Sequence, residues 1–257
     1  MSKPIKQMLR DGEEVRVMMV GPIAHPKVIE IVGIMGGLHG LWIDQEHSAV
    51  TQREIEVLML ACRSAGLEGF VRVPPLDYTT IMRPMEAGAF GIMTAQIRNV
   101  EEVRRIVDWA KYPPVGSRGM FRGNYEAAYC ASDLAEHVER CNRDRWLAIQ
   151  IETTEAVDCA DEIAAVDGVD SLFVGPGDLA AAFGVPGESM HPRCVTALEK
   201  VSAAAKKAGK SWGVLPTSIE HARKCRELGC QMFSLTSEIE MLRAGMTAMR
   251  QTYDELF

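Results

Sequence analysis

Trp146-Leu-Ala-Ile-Gln-Ile-Glu152 is a β-rich run, a helix begins at Thr153 and Thr154, and a second β-rich run, Ser171-Leu-Phe-Val-Gly175, follows. Strand, helix, strand at this spacing marks a βα unit, because parallel neighbours must be joined by a crossover. The same alternation extends outward to both ends. Further strand candidates are Val15 to Gly21, Gly40 to Glu46, Gly69 to Val73, Gly91 to Ile97, Ser211 to Leu215 and Met232 to Thr236, which brings the total to eight. Between them, Thr51 to Ala65, Asn99 to Ala110, Arg193 to Ala208 and Ser218 to Leu228 repeat apolar residues at helical spacing. Eight strands with eight following helices in 257 residues predict a closed (β/α)8 TIM barrel, with residues 1–257 forming a single domain.

Two stretches stand out from this alternation. Tyr112 to Arg145, broken by Pro113, Pro114, Gly116, Gly119 and Gly123, is irregular; lying after the fourth strand, it is expected at the loop face, covering the site. The last helix, Ile239 to Leu256, lines up Met241, Leu242, Met246, Met249 and Tyr253, a stripe expected to pack within or between subunits.

A net charge of −7 argues against nucleic acid or an anionic membrane as partner and leaves a small metabolite. The seven cysteines form no CxxC pair and are odd in number, as expected of reduced thiols. With neither a leader pattern nor an 18-residue apolar span, the chain is expected in the cytoplasm.

In a (β/α)8 barrel, a polar residue closing a strand points into the mouth where chemistry is done. That filter selects Asp44, Glu46 and His47 after the second strand, Arg72 on the third, Gln150 and Glu152 on the fifth, and Asp178 after the sixth. Glu152 and Asp178, from adjacent strands, form a two-carboxylate clamp of the kind that suits Mg²⁺ or Mn²⁺, with Co²⁺ or Zn²⁺ as alternatives. Both carboxylates equally suit helix capping. His47, three residues after Asp44, reads as half of a general-base dyad or as a satisfied structural histidine. A guanidinium in a barrel mouth needs an anion to justify its desolvation, which makes Arg72 the firmest candidate. Gly175-Pro-Gly-Asp178 offers backbone N–H groups to a carboxylate, or is an ordinary strand-to-helix turn.

Four stretches also carry a resemblance. Trp42-Ile-Asp-Gln-Glu-His47, Val71-Arg-Val-Pro74, Tyr112-Pro-Pro-Val-Gly-Ser-Arg-Gly119 with Gln150-Ile-Glu-Thr153, and Val174-Gly-Pro-Gly-Asp-Leu179 resemble the HpcH/HpaI aldolases, class II enzymes acting on pyruvate and related 2-oxo acids. The resemblance implies a barrel lyase in which Glu152 and Asp178 hold the divalent metal, Arg72 binds the pyruvate oxygen, and His47 with Asp44 forms the dyad. It further implies that Gln150 orients ligand or water, that Glu46 supports the site, and that the amides of Gly177 and Asp178 hold the substrate carboxylate. A homo-hexamer exchanging its last helix between subunits is also implied. Two positions depart from the pattern: Gln45 stands where many members have Gly, and Gly177 where many have Ala. No lysine closes a strand, so a Schiff-base route lacks its nucleophile. The alternatives are a citrate-lyase-β-like enzyme acting on a CoA thioester, which coenzyme A calorimetry would reveal, and a non-catalytic metabolite-binding barrel.

Overall fold

Along the strands, side chains alternate between an outer and an inner face, and both faces are apolar, as a parallel sheet buried on both sides requires. The computed structural model describes residues 3–257. Its strands are β1 (Val15–Val20), β2 (Gly40–Asp44), β3 (Glu68–Val73), β4 (Gly91–Thr94), β5 (Trp146–Ile151), β6 (Ser171–Val174), β7 (Ser211–Val214) and β8 (Met232–Ser237). They close in sequence order, each parallel to the next, with β8 returning to β1. The expected eight-stranded barrel is therefore the architecture observed.

Leu41, Ile43, Val71, Ile92, Ile149 and Val174 face outward and pack under the helices. Val17, Trp42, Phe70, Met93, Trp146 and Phe173 fill the interior. Gly91 is needed here, because a Cβ at that position would lie within 2.7 Å of the Trp146 ring, its neighbour in register. A six-residue helix, Ile5–Arg10, plugs the base of the barrel with Ile5, Met8 and Leu9. Sequence reading assigned no element before Val15; a helix of under two turns is too short to show a period. Glu68 anchors the plug, its two oxygens accepting from Ile5 N–H at 2.9 Å and Trp146 Nε1–H at 2.8 Å.

The segment after β4 differs from expectation. It contains a helix, Leu134–Asp144, and its buried anchors lie at the base of the barrel, not over the mouth. Arg118 Nη2 (2.5 Å) and Arg145 Nε (2.9 Å) both bind the Glu126 carboxylate, and Arg145 immediately precedes the start of β5. Tyr125 stacks on Arg63, near the C-terminus of the helix Gln52–Ser64, an end that also points to the base. Two guanidinium groups sharing one buried carboxylate hold the segment down, and Gly and Pro content alone does not reveal such an anchor.

The last helix, Glu238–Thr252, buries only Glu238. Met241, Leu242 and Met246 are exposed, and so is Tyr253 beyond it, so the stripe does not pack within the chain. Removing Glu126 would leave two buried guanidinium groups uncompensated, so Glu126→Ala is expected to cost about 3–5 kcal/mol in urea unfolding. A loss below about 1 kcal/mol would show that water reaches these groups.

Candidate active site

Parallel register sets Asp44 of β2 directly beside Arg72 of β3. Arg72 Nε and Nη2 donate to Asp44 Oδ1 and Oδ2 at 2.9 and 2.8 Å, a bidentate pair with both side chains buried. The guanidinium carbon lies 4.7 Å from the centroid of the Trp42 ring. Arg72 Nη1 is 3.2 Å from Glu46 Oε2, and the Glu46 N–H donates to Asp44 Oδ1 at 3.0 Å. The turn after β2 is thus folded around the arginine. Two of the five guanidinium N–H groups are hydrogen-bonded, both to Asp44, while Nη1 stands in ion-pair range of Glu46 Oε2, which accepts no hydrogen bond among the described residues; three N–H groups are left for a ligand. Burial opposes the charge, but Asp44, Glu46 and Glu152 outweigh it and hold the Arg72 pKa above its ordinary value.

His47 occupies the rim with its side chain 62% exposed, and its Nε2 lies 3.7 Å from Glu46 Oε2. The expected contact with Asp44 is not made; both Asp44 oxygens are taken by Arg72 and the Glu46 amide. Spacing along the chain suggested that pair, but cross-strand register gives Asp44 a stronger partner.

Across the mouth, Glu152 is buried just beyond β5. Its Oε1 accepts the Gln96 backbone N–H at 2.7 Å, and its Oε2 accepts from Gln150 Nε2 in a short contact. Gln96 takes a φ of 56°, a left-handed conformation that aims its N–H at the carboxylate. Nothing in the sequence signals this. Burial pushes the Glu152 carboxyl up to about 7; nearby Glu46 and Asp178 add to the rise, while Gln96 N–H and Arg72 oppose it. Asp178 is exposed on the first turn of the helix Pro176–Ala182, which has no side-chain cap. Gln150 is buried, and its Oε1 has no hydrogen-bond partner among the described residues.

No group of three or more His, Cys, Asp or Glu side chains able to hold a metal ion occurs among the described residues. Glu152 and Asp178, with the unsatisfied Gln150 oxygen beside them, nevertheless offer hard oxygen donors and a local excess of negative charge. Such a set fits a hard divalent cation that keeps positions open for water and substrate.

The two glycines of the Gly175-Pro-Gly-Asp178 turn differ. A Cβ on Gly175 would lie within 2.6 Å of Gln150 Nε2 and closer still to Glu152 Oε2, whereas one on Gly177 meets nothing within 4 Å. The departure at Gly177 is therefore sterically silent. At the other departure, Gln45 donates its side-chain amide to Val50 O at 2.9 Å and its backbone N–H to Arg72 O at 2.9 Å.

A (β/α)8 barrel that sets a clamped arginine opposite buried oxygen donors, all at the strand ends, has the layout of a small-molecule barrel enzyme. The HpcH/HpaI aldolase/citrate lyase family model matches residues 16–244, and the chain belongs to that family. It is 32% identical over 245 residues to a hydroxypyruvate/pyruvate aldolase of Sagittula stellata, covering 95% of each chain. It is 30% identical to a 5-keto-4-deoxy-D-glucarate aldolase of Salmonella arizonae over 94% of this chain and 93% of the relative. An HpcH/HpaI aldolase from Desulfitobacterium hafniense superposes with a TM-score of 0.90 at 30% identity, over 99% of this chain and 98% of the other. These relatives support a lyase of the aldolase type acting on small molecules.

Gly175→Ala is expected to lower activity at least 10-fold, because it displaces both Gln150 and Glu152, while Gly177→Ala should leave activity unchanged; equal effects would contradict the packing. The raised Glu152 pKa carries a second prediction. A carboxyl that ionises late in the folded state contributes most below its unfolded value of 4.5, and that contribution is lost as pH rises through about 7. Metal-free Glu152→Gln should therefore be more stable than the parent at pH 8, by on the order of 1–3 kcal/mol, and similar to it at pH 4. A variant less stable at pH 8 by chemical denaturation would contradict the assignment.

Proposed function

We propose that the protein is a class II pyruvate aldolase, reversibly cleaving 4-hydroxy-2-oxo acids to pyruvate, or a related 2-oxo acid, and an aldehyde. The observation that carries this reading is the opposition, at one barrel mouth, of a carboxylate-clamped Arg72 and the oxygen donors Glu152, Gln150 and Asp178. The buried lysines support it from the other direction. Lys6 and Lys111 lie at the base, where both donate to Arg145 O, and burial lowers Lys111 to about 8; neither can meet a carbonyl substrate in the mouth. A Schiff-base route lacks its amine.

Glu152 and Asp178 are the residues that would hold the metal, with Gln150 orienting ligand or water beside them. A divalent cation there, Mg²⁺ or Mn²⁺ by the donor set, supplies Lewis-acid polarisation of the 2-oxo group. The chain's own residues do the rest. The N–H groups of Gly177 and Asp178, free of a side-chain cap, receive the substrate carboxylate. In cleavage, a base at the rim takes the C4 hydroxyl proton, the C3–C4 bond breaks, the aldehyde leaves, and the electron pair moves through C3 onto the C2 oxygen. His47 fills the base role, directly or through water, and the adjacent Glu46 stabilises the imidazolium that forms. Arg72 presents its remaining N–H groups to the enolate oxygen where negative charge develops. Protonation at C3 completes pyruvate.

The last helix, unpacked within its own chain, supports the exchange of this helix between subunits of a homo-hexamer, which would cover Met241, Leu242, Met246 and Tyr253. Light scattering at micromolar concentration should report a hexamer; a monomer would sink the exchange.

Pyruvate release from a panel of 4-hydroxy-2-oxo acids is expected only with added divalent ion, to stop with chelator, and to fall at least 100-fold in His47→Ala with little change in pyruvate affinity. Full turnover in chelator would remove the class II assignment. Unchanged turnover in the His47 variant would leave that residue structural.

A further inference from the structure

The base of the barrel carries a groove rich in cations. A groove of about 460 Å³ opens between the plug helix Ile5–Arg10 and the starts of β6 and β7, lined in part by Lys6, Arg10, Asp170, Lys210, Ser211 and Gln231. Three of these side chains are cations and one is a carboxylate, in a chain whose net charge is −7. Asp170 is the shared counter-charge. Its Oδ1 is 2.9 Å from Lys6 Nζ, and its Oδ2 is occupied by the Leu147 N–H at 3.0 Å. Among the described residues Lys210 has only the Val166 carbonyl as a direct partner, at 2.6 Å; burial lowers its pKa despite the opposing pull of Asp170 and Asp167. Behind the groove, Lys111 is a further buried amine, which among the described residues donates only to the carbonyls of Asn142 and Arg145. Among the described residues Arg10 has no carboxylate partner.

Two further features mark a built recess. Lys6 and Ser211 are both more than nine-tenths buried, so the walls are not loose surface side chains. Ser211 lies on the inward face of β7, in register with Ser171, whose hydroxyl donates to Ser211 O. Among the described residues the Ser211 hydroxyl has no hydrogen-bond partner, which leaves a polar atom unsatisfied in the wall behind the cations. On the opposite side of the plug, by contrast, both oxygens of Glu68 are met.

We propose that this groove binds a small oxyanion carrying two or more negative charges, of the phosphate or polycarboxylate class. Lys6 and Arg10 reach it from the plug helix and Lys210 from the start of β7. Bound there, the anion offsets the cation excess and fastens the plug to the β6–β7 side of the barrel, so its effect is stabilisation.

The test is thermal melting of the full-length, metal-free protein with inorganic phosphate or malonate, at an ionic strength fixed with sodium chloride. The midpoint is expected to rise and saturate with at least one of the two ions, and the one with the lower half-effect concentration identifies the class. Arg10→Ala with Lys210→Met, which keeps the apolar stem of the lysine, should weaken the half-effect concentration at least 10-fold. Arg10→Glu, a change at an exposed position that spares the fold, should weaken it in the same direction. A shift reproduced by chloride alone, or one retained in full by both variants, would mean an adventitious ion only and would overturn the site. Because Arg72 is intact in every variant, binding at the mouth cannot imitate the loss.

Discussion

Register between β2 and β3 decides what the mouth of this barrel can do. It puts Asp44 beside Arg72, and the bidentate pair then organises everything within reach. Trp42, two residues earlier on the same face of β2, supplies the floor under the guanidinium. The Glu46 amide is drawn to Asp44 and its carboxylate to Arg72, which sets the turn that carries His47 to the rim. A guanidinium buried this far is costly unless paired, and pairing it completely with carboxylates would leave nothing for substrate. The carboxylates on one side stabilise the charge, and N–H groups on the other stay open, as the proposed role of Arg72 requires.

The barrel itself was legible because its signal is repeated eight times, and errors of a residue or two at strand ends do not change the count. The mouth residues were legible for a related reason, since a polar residue closing an apolar strand has few structural uses. Partners were harder to see. Asp44 and His47 are close in sequence, yet Asp44 binds Arg72, 28 positions away, because strand pairing overrides chain proximity. The left-handed Gln96 and the close approach at Gly175 depend on neighbours from another strand, and the Glu126 anchor on Arg118 and Arg145 within its own irregular segment, and periodicity carries no trace of any of them. The plug helix was too short to announce itself.

The two ends of the barrel hold opposite charge for different ends. At the mouth, burial raises the Glu152 pKa and the nearby Glu46 and Asp178 carboxylates add to the rise, a destabilising arrangement that a bound cation would relieve. At the base, Lys6, Lys210 and Lys111 crowd around Asp170, an arrangement that the proposed anion would relieve. Both are local departures from pairwise neutrality inside a well-packed shell, and such departures mark the places where a ligand contributes to the folded state.

Arg72 is the point at which structure and chemistry meet most directly. Exchange of the pyruvate methyl protons with solvent deuterium requires enolate formation and no aldehyde, so it isolates the step assigned to this residue. With divalent ion saturating, the wild-type protein should exchange the methyl protons, and Arg72→Ala should slow exchange at least 100-fold, with Arg72→Lys recovering only part because an ammonium lacks the planar fork. Exchange at the wild-type rate in Arg72→Ala would contradict the account, leaving the arginine as a structural partner of Asp44 and placing enolate stabilisation elsewhere.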